Sequence, residues 1–218
     1  MKNTFGSSVS LTLFGESHGA AIGAVIDGIA PGIKIDEDFI RSQLSLRRPV
    51  GLISTPRVEP DEFVIESGVF EGKTTGTPIC ILIPNVNTKS KDYSEIRSKA
   101  RPGHADYTAY EKYHGFEDYR GGGHFSGRIT AAVVAAGAVA LSALKGKGIN
   151  IGTHIARLAG IADRCFENYE SDIKKLSEMQ FAVFDTAAAE KMKEEIIAAK
   201  NVGDSVGGVL GTAVTGPP

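Results

Sequence analysis

Neither sign of charge is in surplus in this sequence. Its 24 lysines and arginines nearly balance 26 aspartates and glutamates, for a formal net charge of −2. That balance removes any global attraction to nucleic acid or to an anionic membrane, so clusters of arginine have to be read locally. Cysteine is almost missing: Cys80 and Cys165 are the two present, with no CxxC spacing. Both are read as free, buried thiols, which fits a reducing cytoplasm. No secretory apolar segment follows Met1-Lys2-Asn3-Thr4. The longest apolar stretch, Ala131 to Leu144, is alanine-rich and shorter than a membrane span, so it is expected to be a buried core helix. Tryptophan is absent and aromatics are few.

Glycine is what the chain has instead, 26 residues placed singly and in short clusters rather than as a linker. Such a distribution points to many turns and to places where backbone approaches something closely. With 218 residues, 42% hydrophobic and 23% charged, the chain is an ordinary globular sequence that can bury a sizeable core. It shows no internal repeat and no clean linker, and we read it as a single domain.

Alternation of Val9, Leu11 and Leu13 with Ser10 and Thr12 predicts a half-buried strand, and Ala20 to Ile29 a second one. Asp36 is placed to cap a helix from Glu37 to about Leu44, with Ile35 and Ile40 spaced as a hydrophobic staple. Phe63–Phe70 and Ile79–Ile83 read as two strands joined by a Gly/Thr-rich turn, followed by a polar loop from Pro84 to Ser98. Asp106 is read as the cap of a short helix to Tyr113, and Ser126 as the cap of the apolar helix. Lys145-Gly146-Lys147-Gly148 stops that helix, and Ile149–Ile155 is a strand. Ala189, Met192, Ile196 and Ala199 share one helical face, with Gly203 as the stop, and Val206–Val214 is a last strand. Strands and helices mix without strict βαβ alternation, which gives an α+β fold.

Four segments carry groups that a plain scaffold does not need. In Gly15-Glu16-Ser17-His18-Gly19 a histidine flanked by small residues sits at a strand end. Arg47-Arg48-Pro49, with Arg57 downstream, suits capture of phosphate or carboxylate. Arg101-Pro102-Gly103-His104-Ala105-Asp106 crowds ionisable groups on a backbone fixed by Pro and Gly, and His104 is a candidate general acid or base. Arg120-Gly121-Gly122-Gly123-His124-Phe125-Ser126-Gly127-Arg128 is a glycine loop running into a helix start, where free N–H groups can meet an anion. A fifth segment, Gly68 to Thr74, is one residue short of a phosphate-binding loop and is not followed by a helix, so it reads as a hairpin turn.

Taken together and in this order, these motifs resemble the chorismate synthase family. The resemblance rests on Gly-Glu-Ser-His-Gly, Arg-Arg-Pro, Arg101 to Thr108, Asp118 to Gly123, Ser67 to Gly72 and Thr74 to Thr77, and runs along the whole chain. It implies a β-α-β sandwich that this chain leaves incomplete at its C-terminus, a cytoplasmic homotetramer, and reduced FMN as cofactor with NADPH as a possible reductant. The reaction implied is a lyase step of aromatic amino acid biosynthesis, the anti 1,4-elimination of phosphate from 5-enolpyruvylshikimate-3-phosphate to give chorismate. By resemblance His18 is the acid for the departing phosphate and His104 keeps the reduced flavin protonated. Ser17, Arg47, Arg48 and Arg101 hold the substrate, and His124, Phe125 and Ser126 fall on flavin-contacting positions. Many members carry Arg-Ser-Ser where this chain has His124-Phe125-Ser126, and the segment Val50-Gly51-Leu52-Ile53 is one residue shorter, leaving Arg47 alone for NADP. Two rival readings stand beside it. One is a catalytically inactive, truncated folding unit. The other is a metal-dependent hydrolase using His104, Asp106, His114 and His124, although no pair has a tight ligand spacing such as HExxH.

Overall fold

The computed structural model describes residues 2–49, 51–54, 59–87, 93 and 99–217. Val50, Arg57 and much of the loop expected after Pro84 lie outside the described residues. The chain gathers into two units, Met1–Ser45 with Val58–Ser142, and Leu46–Arg57 with Ala143–Pro218.

In the first unit, alternating sequences build an antiparallel sheet. β1 (Thr4–Gly6), β2 (Ser10–Gly15) and β3 (Ala21–Asp27) form successive hairpins. After α1 (Glu37–Leu46) come β4 (Val64–Ser67), a short ribbon of β5 (Val69–Phe70) and β6 (Lys73–Thr74), and β7 (Ile79–Pro84). The five long-range partners stand in the order β1-β2-β3-β7-β4. Across β3 and β7, Ile22 faces Ile83, Ala24 faces Ile81 and Ile26 faces Ile79, so one face of the sheet is continuous hydrocarbon. The expected strand Phe63–Phe70 is interrupted at Gly68, which has φ of 81°. The β5–β6 turn uses Glu71 at φ 47° and Gly72 at φ 70°, the positive pair that a tight hairpin needs. It lies where the phosphate-loop look-alike was rejected.

Helices cover that apolar face. Asp36 Oδ1 accepts from the Phe39 N–H at 2.9 Å, and Ile35 and Ile40 are both in the core, so cap and staple form as expected. After α2 (Asp106–Tyr113), Ser126 accepts from the Arg128 N–H and opens a 3₁₀ turn that runs into α3 (Thr130–Lys145). Counted from Gly127 the helical run has 19 residues and a mean hydropathy of 1.7, longer than the sequence stretch suggested and sufficient by length and composition to cross a membrane. Here it lies in the core, with Ala131, Ala132, Ala135, Ala136, Ala138 and Val139 buried.

The second unit pairs β8 (Asn150–Leu158) with β9 (Ile161–Ala162) on one side and β10 (Gly208–Thr215) on the other, all antiparallel. α4 (Tyr169–Leu176), capped by Asn168, was not expected from the sequence. Its Ile173 packs on Gly152 of β8, where an added Cβ would lie 2.9 Å from the isoleucine side chain. α5 (Thr186–Asn201) is capped by Asp185, which accepts from the Ala187 and Ala188 N–H groups. Its Ala188, Ala189 and Met192 enter a small core with Val183. Asp163 gathers three donors from this unit: His154 Nδ1 at 2.8 Å, the Phe184 N–H at 2.8 Å and the Asp185 N–H at 2.9 Å. The thiols depart from expectation. Cys165 is exposed, and Cys80 is half-buried in β7. Burial, and then the charge of Glu66, push the Cys80 thiol pKa up.

Gly23 is the tightest point of the sheet. A Cβ there would run into the Phe14 ring and the Ile81 carbonyl, with no conformational reason for glycine. Gly23→Ala is therefore expected to cost about 1–3 kcal/mol through overpacking. Urea unfolding should show a lower midpoint at unchanged slope.

Candidate active site

At the end of β2, the first unit holds a cavity of about 720 Å³, within the range of small-molecule sites. Its walls come from three places: Leu13–Glu16 of β2 and the turn after it, His104 to Tyr113 at the start and inner side of α2, and Phe116 to Gly127. Segments about a hundred residues apart in sequence thus meet here.

The glycine loop fixes the arrangement. Gly121, Gly122 and Gly123 have φ of 59°, 82° and 54°, a run that side-chain-bearing residues rarely adopt. A Cβ on Gly121 would run into the His18 imidazole and lie 3.1 Å from Ser17 Oγ. The loop therefore lies directly on Ser17 and His18, and the Ser17 N–H donates to the Gly123 carbonyl at 3.0 Å. Ser17 is fully buried and His18 is 8% exposed, with the Tyr93 ring edge-on at 4.8 Å. His124 Nδ1 lies 2.9 Å from the Gly15 carbonyl. Because a carbonyl only accepts, that nitrogen carries the proton and the ring is held against the end of β2. Phe125 packs near Tyr113, at 6.0 Å between ring centroids, with the Lys112 ammonium over both rings.

The carboxylates around the cavity differ in their partners. Asp106 was expected to cap α2, but Ala105 occupies the cap position. The Asp106 carboxylate accepts instead from Arg101 Nε at 2.8 Å, Nη2 at 3.0 Å and the Arg101 N–H at 3.0 Å. A second carboxylate–guanidinium fork joins Asp118 to Arg120, at 2.8 and 2.6 Å. These guanidinium hydrogen bonds hold both carboxyls below the ordinary range. Glu117 Oε2, by contrast, is sealed from water with no hydrogen-bond partner among the described residues.

The structure thus brings His104, His124, Phe125 and Ser126 onto one cavity, with Ser17 and His18 beneath its glycine loop. Arg101 stands beside the loop, its Nη2 3.9 Å from where a Gly122 Cβ would be. Arg47 and Arg48 belong to the second unit, where the Arg48 carbonyl accepts from Gln180 Nε2 at 2.7 Å. Sequence reasoning passed over Asn85 and Asp61, and gave Arg128, at the end of the glycine-loop segment, no role of its own; these residues hold the His18 turn from behind. Among the described residues no group of three His, Cys, Asp or Glu side chains is placed to hold a metal ion, so the set His104, Asp106, His114 and His124 does not assemble.

The model of the family described as chorismate synthase matches residues 9–218. The chain belongs to the chorismate synthase family. It is 48% identical over 217 residues to chorismate synthase of Sulfurimonas denitrificans, covering 99% of this chain and 59% of that one. To the Pyrococcus abyssi chorismate synthase it is 46% identical over 216 residues, covering 98% of this chain and 59% of the relative. A crystal structure of chorismate synthase matches with a TM-score of 0.70 at 28% identity, over 96% of this chain and 58% of that one. The chain therefore spans a little under three fifths of the length of these chorismate synthases, and the family match runs through both of its units.

The Arg101–Asp106 pair has a defined pH signature. Because the folded carboxyl lies below its ordinary 3.8, the pair stabilises the fold above that pH and loses its contribution as the pH falls through the folded value. Arg101→Ala is expected to cost about 1–2 kcal/mol near neutral pH. In urea titrations the difference from the parent should shrink as the pH falls below 3.8.

Proposed function

We propose that this chain carries the N-terminal share of a chorismate synthase site, which eliminates phosphate from 5-enolpyruvylshikimate-3-phosphate to give chorismate. One observation carries the reading: His104, His124 and the glycine loop line one cavity of suitable size, and His18, far away in sequence, packs against that loop. In the reaction the ring C–O bond to phosphate and a ring C–H bond both break and a second ring double bond forms, with no net redox change. His18, packed under the loop, is the acid that meets the departing phosphate, and Ser17 hydrogen-bonds beside it. Arg101, with Arg47 and Arg48, meets the substrate's phosphate and two carboxylates, groups that call for guanidinium partners.

The residues present also fit a reduced flavin. Among the described residues no atoms lie within 4 Å of a Cβ built on Gly127 and only Ser126 and Arg101 approach one on Gly122, so the backbone there is open to a close neighbour. Phe14, Tyr113, Phe116 and Phe125 supply flat apolar wall, and Glu117 a sealed acceptor. His124, Phe125 and Ser126 would hold FMN, and His104 would keep it protonated. Reduced FMN, when bound, supplies transient electron donation to the substrate, which accounts for a lyase without net redox change that depends on a reduced flavin. NADPH as reductant, met by Arg47, and a cytoplasmic homotetramer complete the proposal.

His18→Ala and His104→Ala, each made in this chain continued to the length of its relatives, are expected to lower turnover with supplied reduced FMN by about 10²–10⁴-fold. A near-normal rate in either overturns that assignment. The 218-residue chain, assayed anaerobically in parallel, is expected to make little chorismate and to bind FMN poorly. Comparable activity in it would mean that every essential group lies before Pro218.

Arg48→Ala and Arg101→Ala are expected to weaken substrate binding by about tenfold or more, since each leaves an anionic group short of a charge-assisted partner. Flavin binding should change less. Titration of both ligands against each variant separates the two, and an equal loss for FMN would move the arginines to the cofactor.

A further inference from the structure

Behind the Ser17–His18 turn lies a set of polar contacts centred on a buried ion pair. Arg128 enters the core just ahead of the apolar helix α3, with its side chain 3% exposed, and pairs with Asp61, whose side chain is 1% exposed. All three guanidinium nitrogens are used. Nη1 bonds Asp61, Nη2 donates to the Pro84 carbonyl at 3.3 Å, and Nε donates to Asn85 Oδ1 at 2.9 Å. Asn85 passes the constraint forward. Its Nδ2 donates to the Glu16 carbonyl at 3.0 Å and to the Gly19 carbonyl at 2.9 Å, while its own N–H donates to the Ala20 carbonyl at 3.0 Å. One amide side chain therefore clasps both ends of the tetrapeptide that contains Ser17 and His18. Next along the chain, the Val86 N–H is held by the buried Glu59 carboxylate at 3.2 Å.

A buried ion pair is a poor source of net stability, because desolvation offsets most of its attraction. Its better-attested use is to specify one arrangement among several. The Arg128 pair fits that use, since one of its donors fixes the rotamer and the amide orientation of Asn85. With Oδ1 committed to Arg128, Asn85 can present only its N–H groups to the two carbonyls. From the front, Gly121 and the Ser17–Gly123 bond press on the same turn. The turn is thus gripped on both sides.

We infer that Asn85, oriented by the buried Asp61–Arg128 pair, is the positioning residue that fixes the His18 imidazole under the glycine loop. It acts on the reaction only through His18, so the link to catalysis rests on the function proposed above. The structural link can be tested alone. Asn85→Ala is neutral and places no new charge near His18. With the 218-residue chain labelled at histidine nitrogen, the His18 ring signals, assigned by their loss in His18→Ala, are expected to shift or broaden in Asn85→Ala. Those of His114 and His154 should stay in place. Unchanged His18 signals overturn the inference, and so does a common shift of all three, which a general loosening would give. A second measurement needs no variant. In the parent chain the Asn85 side-chain NH₂ protons should exchange slowly with water, because two backbone carbonyls of the turn hold them. Rapid exchange of both overturns the inference even if the variant fails to fold.

The catalytic arm uses the chain continued to the length of its relatives. There Asn85→Ala is expected to lower kcat by about ten- to a hundredfold with KM little changed, the signature of a displaced reacting group. An unchanged kcat, with the His18 signals moved, would count against His18 as the acid and leave the positioning role standing.

Discussion

The Arg128 guanidinium is the point on which the first unit's site depends. It sits where the end of β7 and the start of α3 meet, and reaches the turn after β2 through Asn85. Its partner Asp61 adopts φ of 53°, a left-handed conformation that aspartate tolerates better than most residues. A charge this deep is acceptable only when it is paired and hydrogen-bonded, and here each of its three nitrogens donates a bond. The glycine loop then closes over the turn that this network holds. Its three positive φ angles let backbone come within contact of an imidazole where any side chain would collide.

Around the cavity, charge is arranged by pairing. Asp106 and Asp118 are each closed off by a forked guanidinium, so they give shape to the two segments that carry His104 and the glycine loop. His104 and His124 stand on the cavity wall beside them. His124 is a departure that the geometry accommodates. Its Nδ1–H tether to Gly15 ties the loop to the end of β2, and the neighbouring Phe125 joins Tyr113 in an aromatic wall.

Much of this was legible in the sequence where a local rule decides the outcome. Asp36 as cap, Ile35 with Ile40, Ser126 at the head of the apolar helix and Gly203 past α5 are all set by neighbours a few residues away. The motif histidines were legible because resemblance works on short strings. Less was readable where a distant partner outbid a local one. Asp106 looked like a cap, but the guanidinium of Arg101 takes its carboxylate. Asn85 looked like the first residue of a polar loop, and nothing nearby reveals that its partners are 43 to 69 positions away. α4 was missed although Asn168 marks its start and Ile173 and Leu176 share its buried side. Cys165 was assigned to the interior on composition, and the fold leaves it at the surface.

The Asp163 carboxylate in the second unit carries an implication for how that unit comes apart. It receives the imidazole of a central strand and the two amides that lead into the α5 cap. Opening α5 from its first turn would release Asp185, strip Asp163 of two donors and leave His154 facing an under-satisfied anion in an aromatic surround of Phe166 and Phe184. Fraying therefore cannot begin at that end of the helix without disturbing the sheet. The strand and the helix should protect their amides against exchange as one cooperative block, with the far end of α5, near Val202 and Gly203, the first to open.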